Sequence, residues 1–567
     1  MLLVTVLLAV AGCTAPRGPT ARPSASGAAS APSAGPATGP TADPAAQARA
    51  IVARLTDEDL VGQVLMPYAY GTSATTVSAG SKSGNQRLAG VDTPAQMIAK
   101  YRLGGLILVG FSADDPTATT NPTTNVDSAA QVRDLTTGIQ AAAKALPAGV
   151  PALIGTDQEY GTVTRIKEGV TQLPAAMAFG AAADPALTEA AWRAAGAELA
   201  ALGVTVDFAP VADVLGSSGA GVIGSRSYGS DPAADATQTA AAVRGLQAGG
   251  VAATLKHFPG HGHTTVDSHT DLPVLTQSRA AWDSGDAPPF AAGVQAGALV
   301  VMSGYLDARA FDPGVAAVFS SKVLTDVLRG QLHFDGVVVT DALNMAPAQK
   351  YPPGDAAVRA LNAGNDILLM PPNLGAAQAG LLAALRSGAL PRTRLVDAVT
   401  RIVTLKLRLA GTPQPAMSTV NTPDHLAAAA AVAAKAVTVL RGRCSGPLVS
   451  GPVSVTAAGG GWSRQRQWLT DALRAAGATV VASGGTAIHL VGYGDGAADL
   501  SAGAAVTVAM DAPYVLGSAR SATLVATYSS TQASMVALAA VLAGRAPAPG
   551  RSPVAVGSLP RTACGTP

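Results

Sequence analysis

The chain has 567 residues, of which 48% are hydrophobic and only 13% charged, with a formal net charge of +2. That length supports at least two domains and a large core. The near-neutral charge, with no basic run and no interleaving of basic and aromatic residues, argues against nucleic acid as a partner.

Met1 to Ala11 form an apolar run of secretory length, too short to span a bilayer. It ends in Val10-Ala11-Gly12-Cys13, which resembles the bacterial lipoprotein box, where the cysteine becomes the lipidated first residue of the mature protein. The expectation is a lipoprotein signal over 1–13, lipidation at Cys13, export, and attachment to the outer face of the cytoplasmic membrane. No Lys or Arg precedes the apolar run, a departure that a start codon assigned too late would explain. Residues 14–44 are almost entirely Ala, Pro, Ser, Thr and Gly. Such a stretch buries too little apolar surface to offset its ordering entropy and reads as a disordered tether. The two remaining cysteines, Cys444 and Cys564, are expected to pair in an exported protein, tying the start of the C-terminal region to the chain end.

The folded part begins near residue 45. Ala45 to Leu55 has helical spacing, and Thr56 is placed to cap a second helix with Asp59 at its third position. Short apolar runs then recur, at 64–66, 105–109, 152–155, 204–209, 251–255, 298–302, 336–340 and 366–370. Ala-rich helical stretches such as 187–202 and 234–248 separate most of them. Continuous apolar strands alternating with helices imply a parallel sheet covered on both faces. Eight such units predict an α/β fold, a (β/α)8 TIM-type barrel over 45–410, with a doubly wound open sheet as the alternative. After a linker at 411–423, residues 424–567 alternate strands and helices and read as a smaller αβα sandwich. It carries no cluster of titratable residues, which suggests an ancillary role.

Polar residues follow most barrel strands: Asp157-Gln158-Glu159, Asp213, Lys256-His257, Ser303 and Asp341. In a barrel these converge on one mouth. Four of the seven histidines lie between Lys256 and His269, on the strand-to-loop stretch Lys256-His257-Phe258-Pro259-Gly260-His261-Gly262-His263 and its continuation to Asp267-Ser268-His269. Imidazole titrates near neutral pH and also ligates metals. Asp341 facing an Asp267–His269 pair would equip the site for displacement at an anomeric carbon, one group attacking and the other protonating the leaving oxygen. His257, His261, His263 and His269 with Asp267 would equally supply a zinc site. A histidine-rich loop without chemistry is the third reading.

The run Lys256 to Gly262 followed by Asp267-Ser268-His269 resembles the signature of glycoside hydrolase family 3, in its bacterial β-N-acetylglucosaminidase (NagZ-type) branch. Asp157-Gln158-Glu159, Asp207 to Val214, Ile223 to Gly229 and Thr340 to Met345 match the branch pattern in order, so the likeness covers about 50–375. The resemblance implies a retaining exo-acting enzyme with Asp341 as nucleophile and His269, paired with Asp267, as acid/base. It implies that Asp157, Arg226, Lys256 and His257 bind hydroxyls of the terminal sugar, and that neither a metal nor another cofactor is needed. The expected substrate is a glycan with non-reducing terminal N-acetylglucosamine, most plausibly a peptidoglycan fragment, and the expected state is a monomer. Within the family the alternatives are β-glucosidase specificity or phosphate as acceptor. Outside it stands a catalytically silent glycan-binding lipoprotein. Three positions depart from the branch: Tyr160 stands where Gly is usual, implying a narrowed rim, Ala342 replaces a frequent second Asp, and His263 takes a place often held by Asp.

Overall fold

A computed structural model describes residues 43–110, 123–216, 221–459 and 461–565. The expected leader, Cys13 and nearly all of the tether lie outside the described residues. Among the described residues no helix is long and apolar enough to cross a membrane.

Thr56 caps the helix Asp57–Gln63 as expected. Its hydroxyl accepts from Asp59 N while the Asp59 carboxylate accepts from Thr56 N, a reciprocal capping box. Eight short strands then run in chain order: β1 (Leu65–Met66), β2 (Gly105–Leu108), β3 (Leu153–Thr156), β4 (Val206–Asp207), β5 (Ala252–Phe258), β6 (Val300–Ser303), β7 (Val337–Thr340) and β8 (Leu368–Leu369). Strands β2 to β7 form one parallel sheet in sequence order, and β1 pairs in parallel with β8. A bridge from Val339 to Ile367 joins β7 to β8, and Ile107 N donates to Pro67 O at 3.0 Å beside β1 and β2. The sheet therefore curls round on itself as a TIM-type barrel. The strands of the ring are buried throughout, as a sheet covered on both faces requires, and in the separate 274–275 and 307–308 pair only Val274 is exposed.

The abundance of Ala and Gly has a packing reason. Helices Pro185–Ala201 and Pro232–Ala248, each opened by an Asp-Pro pair whose carboxylate caps the first turn, lie against one another. A Cβ on Gly245 would sit 2.4 Å from Glu189 O, and one on Gly196 would sit 2.4 Å from Leu246 O. Only small side chains allow that approach.

The second domain holds a five-stranded sheet of β9 (Thr438–Arg441), β10 (Val453–Ala457), β11 (Thr486–Val491), β12 (Val506–Ala509) and β13 (Thr523–Ala526), in the order β9-β13-β12-β11-β10. All pairs are parallel except β9 with β13. Because side chains alternate along a strand, the sheet has two different faces. Val439, Ile488, Leu490, Val508 and Val525 pack under helices Ser463–Ala475 and Gln532–Leu542. Leu440, Val491, Ala509, Leu524 and Ala526 pack toward the barrel, with Met177, Ala178, Val211, Leu215 and Ile223. Cys444 and Cys564 are bonded to each other. On the far side of the interface, buried Glu198 accepts from Thr171, Asn421 and His425, so the segment entering the second domain is pinned to the barrel.

Candidate active site

The β5 strand delivers Lys256 and His257 as its apolar run ends, and both are buried although one carries a full charge. A buried ammonium must be paired. Lys256 Nζ lies 2.7 Å from Asp157 Oδ1 and 2.6 Å from Glu159 Oε1, both in the exit loop of β3. Arg226, in a 3-10 turn over Gly224–Arg226, places its fork on the same Glu159, at 2.7 and 2.8 Å, and reaches His257 Nε2 at 3.4 Å. Arg165 closes the cluster on Asp157 Oδ2 at 3.5 Å. Removing one partner of such a buried pair costs about 3–5 kcal/mol, so the cluster is a built element of the fold.

The charges tune one another. Burial alone would raise the Asp157 and Glu159 carboxyls, but Lys256 with Arg165 for the first, and Arg226 with Lys256 for the second, hold both below the usual range. Burial would likewise depress Lys256, and its two carboxylates hold it above the usual lysine range. His257 is oriented by Asp213, past the exit of β4: Nδ1 lies 2.8 Å from Oδ2 and the His257 amide donates to Oδ1 at 3.0 Å. A carboxylate on Nδ1 sets the ring's orientation and leaves Nε2 facing Arg226.

The loop that follows leaves the strand through two glycines that nothing larger could replace. Gly260 has φ +126° with Asp286 against its would-be Cβ, and a Cβ on Gly262 would fall 1.9 Å from Val214 O. His261 is fixed at both ends, its amide donating to Asp213 Oδ1 at 2.8 Å and its Nε2 lying 2.9 Å from Ser268 Oγ. Ser268 sits between the expected dyad members. His269 Nδ1 lies 2.6 Å from Asp267 Oδ1, and the His269 amide also donates to that oxygen. Burial would raise Asp267, but the His269 hydrogen bond holds it below the ordinary aspartate range, so it is an anion that can stabilise an imidazolium. The far end of the loop is joined to the β7 exit, where Ala346 N donates to His269 O at 3.2 Å. At that exit Asp341 takes its backbone bond from β6, donating to Ser303 O at 2.9 Å, and its Oδ1 accepts from Ala342 N at 2.8 Å. Tyr305 is buried beside it, and burial together with the Asp341 charge holds the phenol well above its usual range.

The four imidazoles of the loop thus address four different partners: Asp213, Ser268, Asp286 and Asp267. Among the described residues no three His, Cys, Asp or Glu side chains are grouped to hold a metal ion. His263, where the branch often has Asp, pairs with Asp286 at 3.0 Å, and that hydrogen bond raises its pKa. The expectation for Tyr160 is corrected: it does not narrow the rim. With φ +66° its side chain turns inward, is buried, and packs edge-on against Trp192 at 5.8 Å. Of the residues the sequence singled out, Asp157, Arg226, Lys256 and His257 come together in one cluster, and Asp267 and His269 form a pair on a loop bonded to the Asp341 segment. Glu159, Arg165, Asp213 and Ser268 complete the arrangement.

His261 makes the loop sensitive to acid. Burial, with His257 adding to it, pushes its pKa down to about 4. Because the unfolded chain takes up that proton first, near 6.5, the stabilisation is full above about pH 6.5 and is lost as pH falls toward 4. His261→Gln should therefore lose less thermal stability between about pH 7 and 4.5 than the parent does. A variant with an unchanged pH slope would contradict this.

Residues 58–405 match the model of the glycosyl hydrolase family 3 N-terminal domain. The chain is 33% identical over 430 residues to beta-hexosaminidase A of Pseudoalteromonas piscicida, covering 70% of this chain and 69% of that one. It is 35% identical over 311 residues to a beta-N-acetylglucosaminidase/beta-glucosidase of Cellulomonas fimi, covering 52% and 55%. Among solved structures, a glycoside hydrolase family 3 beta-N-acetylglucosaminidase from Paenibacillus sp. str. FPU-7 superimposes with a TM-score of 0.76 at 30% identity, over 89% of this chain and 99% of that one. On these matches the chain belongs to glycosyl hydrolase family 3.

Proposed function

We propose that this protein is a retaining exo-β-N-acetylglucosaminidase that removes non-reducing terminal N-acetylglucosamine, with peptidoglycan fragments as its natural substrate class. The observation that carries the reading is the 2.6 Å Asp267–His269 pair, on a loop whose backbone is bonded to the segment leaving Asp341. An imidazole backed by a carboxylate can both give and take a proton. The family membership, with relatives named beta-hexosaminidase and beta-N-acetylglucosaminidase, supports the sugar.

In the first step an Asp341 oxygen attacks the anomeric carbon as the bond to the leaving oxygen breaks, and His269 Nε2–H protonates that oxygen. In the second, His269 takes a proton from water, the water oxygen bonds to the anomeric carbon, and the bond to Asp341 breaks. Asp157, Lys256, His257 and Arg226 hold the sugar hydroxyls beside these groups. The lipoprotein-like leader ending at Cys13 supports an enzyme exported and anchored at the cell envelope, where such fragments arise.

Glucoside specificity is the second reading, favoured by the dual name of the Cellulomonas fimi relative. Chromogenic β-N-acetylglucosaminide and β-glucoside decide between them: kcat/KM for the former should be higher by at least about tenfold, with free sugar as product even when phosphate is present. A preference for the glucoside, or sugar 1-phosphate as product, would overturn the specificity proposed.

A further inference from the structure

The loop 223–230, which carries Arg226 toward the barrel mouth, is held from behind by the second domain. Ser225, the neighbour of Arg226, is buried and lines one small cavity together with Asp511, just past β12 of the second domain, where its hydroxyl partly offsets the rise that burial gives the Asp511 carboxyl. Ile223 lies in the apolar cluster shared with that domain's sheet, beside Val554 and Val556. At the loop's other end, both the amide and the hydroxyl of Ser230 donate to Pro553 O at 3.2 Å. The chain passes so close there that a Cβ on Gly229 would lie 2.8 Å from Pro553 Cβ. The tail that supplies Pro553 is itself fixed, since Arg551 N donates to Ala181 O, Ala563 N donates to Val439 O, and Cys564 is bonded to Cys444.

Barrel contacts fix the backbone just past Arg226, where the Ser227 hydroxyl donates to Asp213 O at 2.6 Å and Leu215 N donates to Gly229 O at 2.8 Å. The turn bearing it is three residues long and opens with Gly224 at φ +48°. Yet its guanidinium must meet Glu159 with both nitrogens at 2.7 and 2.8 Å. A planar fork tolerates little displacement.

We propose that the second domain is the positioning element for Arg226: Asp511, through Ser225, and the tail at Pro553, through Ser230, set the loop so that the guanidinium stands correctly for sugar. Asp511 is a positioning residue that touches no substrate. The inference rests on the reading of Arg226 as a sugar-binding residue. It gives the ancillary domain a defined contribution to KM.

The test is a double-mutant cycle in the full chain, with hydrogen exchange of segment 223–230 measured alongside. Asp511→Ala should raise KM for the chromogenic N-acetylglucosaminide about tenfold, with kcat changed by less than about twofold, and should speed amide exchange across 223–230. Asp511→Asn, which keeps a polar side chain of the same size facing Ser225, should keep the parent KM. In an Arg226→Lys background, where the fork is already gone, Asp511→Ala should add less than about twofold. An unchanged KM in Asp511→Ala, an equal rise in both backgrounds, or unchanged exchange across 223–230 would each overturn the proposal. If the parent fails to cleave the N-acetylglucosaminide, the functional reading falls, while the exchange measurement still decides whether Asp511 holds the loop.

Discussion

Replacing Asp341 with alanine is expected to remove turnover, lowering kcat by at least about ten-thousandfold while leaving sugar binding measurable. The carboxylate's position explains the size of the effect. It stands at the end of β7, its backbone is tied to β6 through Ser303 O, and its rotation is fixed by the Ala342 amide. Asp157 and Glu159 cannot substitute as nucleophile, because they are committed to Lys256, Arg165 and Arg226. Those same residues persist in the variant, which is why binding survives. Titrating the variant with N-acetylglucosamine by calorimetry, beside a rate assay, checks both halves. Retained turnover would remove Asp341 from the chemistry.

His269→Ala should produce a different signature. Glycosides with poor leaving groups should slow by about 10²–10⁴-fold, whereas those with an activated phenol should show a much smaller loss in the glycosylation step. The reason is that an activated phenolate departs without a proton and an alkoxide does not. Asp267, held anionic by its bond to His269, stabilises the imidazolium that donates the proton. Plotting rate against leaving-group pKa for parent and variant reads this directly. Equal losses across the series would contradict the acid role.

The barrel was legible because its strands are short runs of Val, Ile, Leu and Ala buried on both faces, and all eight appear where the apolar runs fall. The helix cap at Thr56 was legible for the same local reason. Other elements depend on distant partners. Helix Ala79–Ala89 includes two Ser, two Gly and an Asn, poor material by propensity, and forms where Asn85 exchanges hydrogen bonds with Tyr70 and the Tyr70 ring packs on Gly84. The direction of Tyr160 follows from a positive φ that no periodicity encodes.

The candidate site divides in the same way. Residues at strand exits, such as Lys256, His257 and Asp341, announce themselves by following an apolar run. The Glu159–Arg226 pair, 67 positions apart, and the Asp213–His261–Ser268 chain of contacts do not, because only the closed barrel brings them together. The second domain's alternation of strands and helices was legible in the sequence, but that one face of its sheet packs toward the barrel was not. Its grip on the loop bearing Arg226, through Asp511 and Pro553, comes from residues with no local signature.

The most direct test of the account is to ask whether sugar becomes covalently attached to Asp341. His269→Ala, mixed with an activated aryl β-N-acetylglucosaminide, quenched in acid and analysed as intact protein and as peptides, should carry one N-acetylhexosamine on the peptide containing Asp341. The adduct should accumulate because the second step lacks its base. No adduct during demonstrable turnover, or an adduct on a different side chain, would contradict the mechanism.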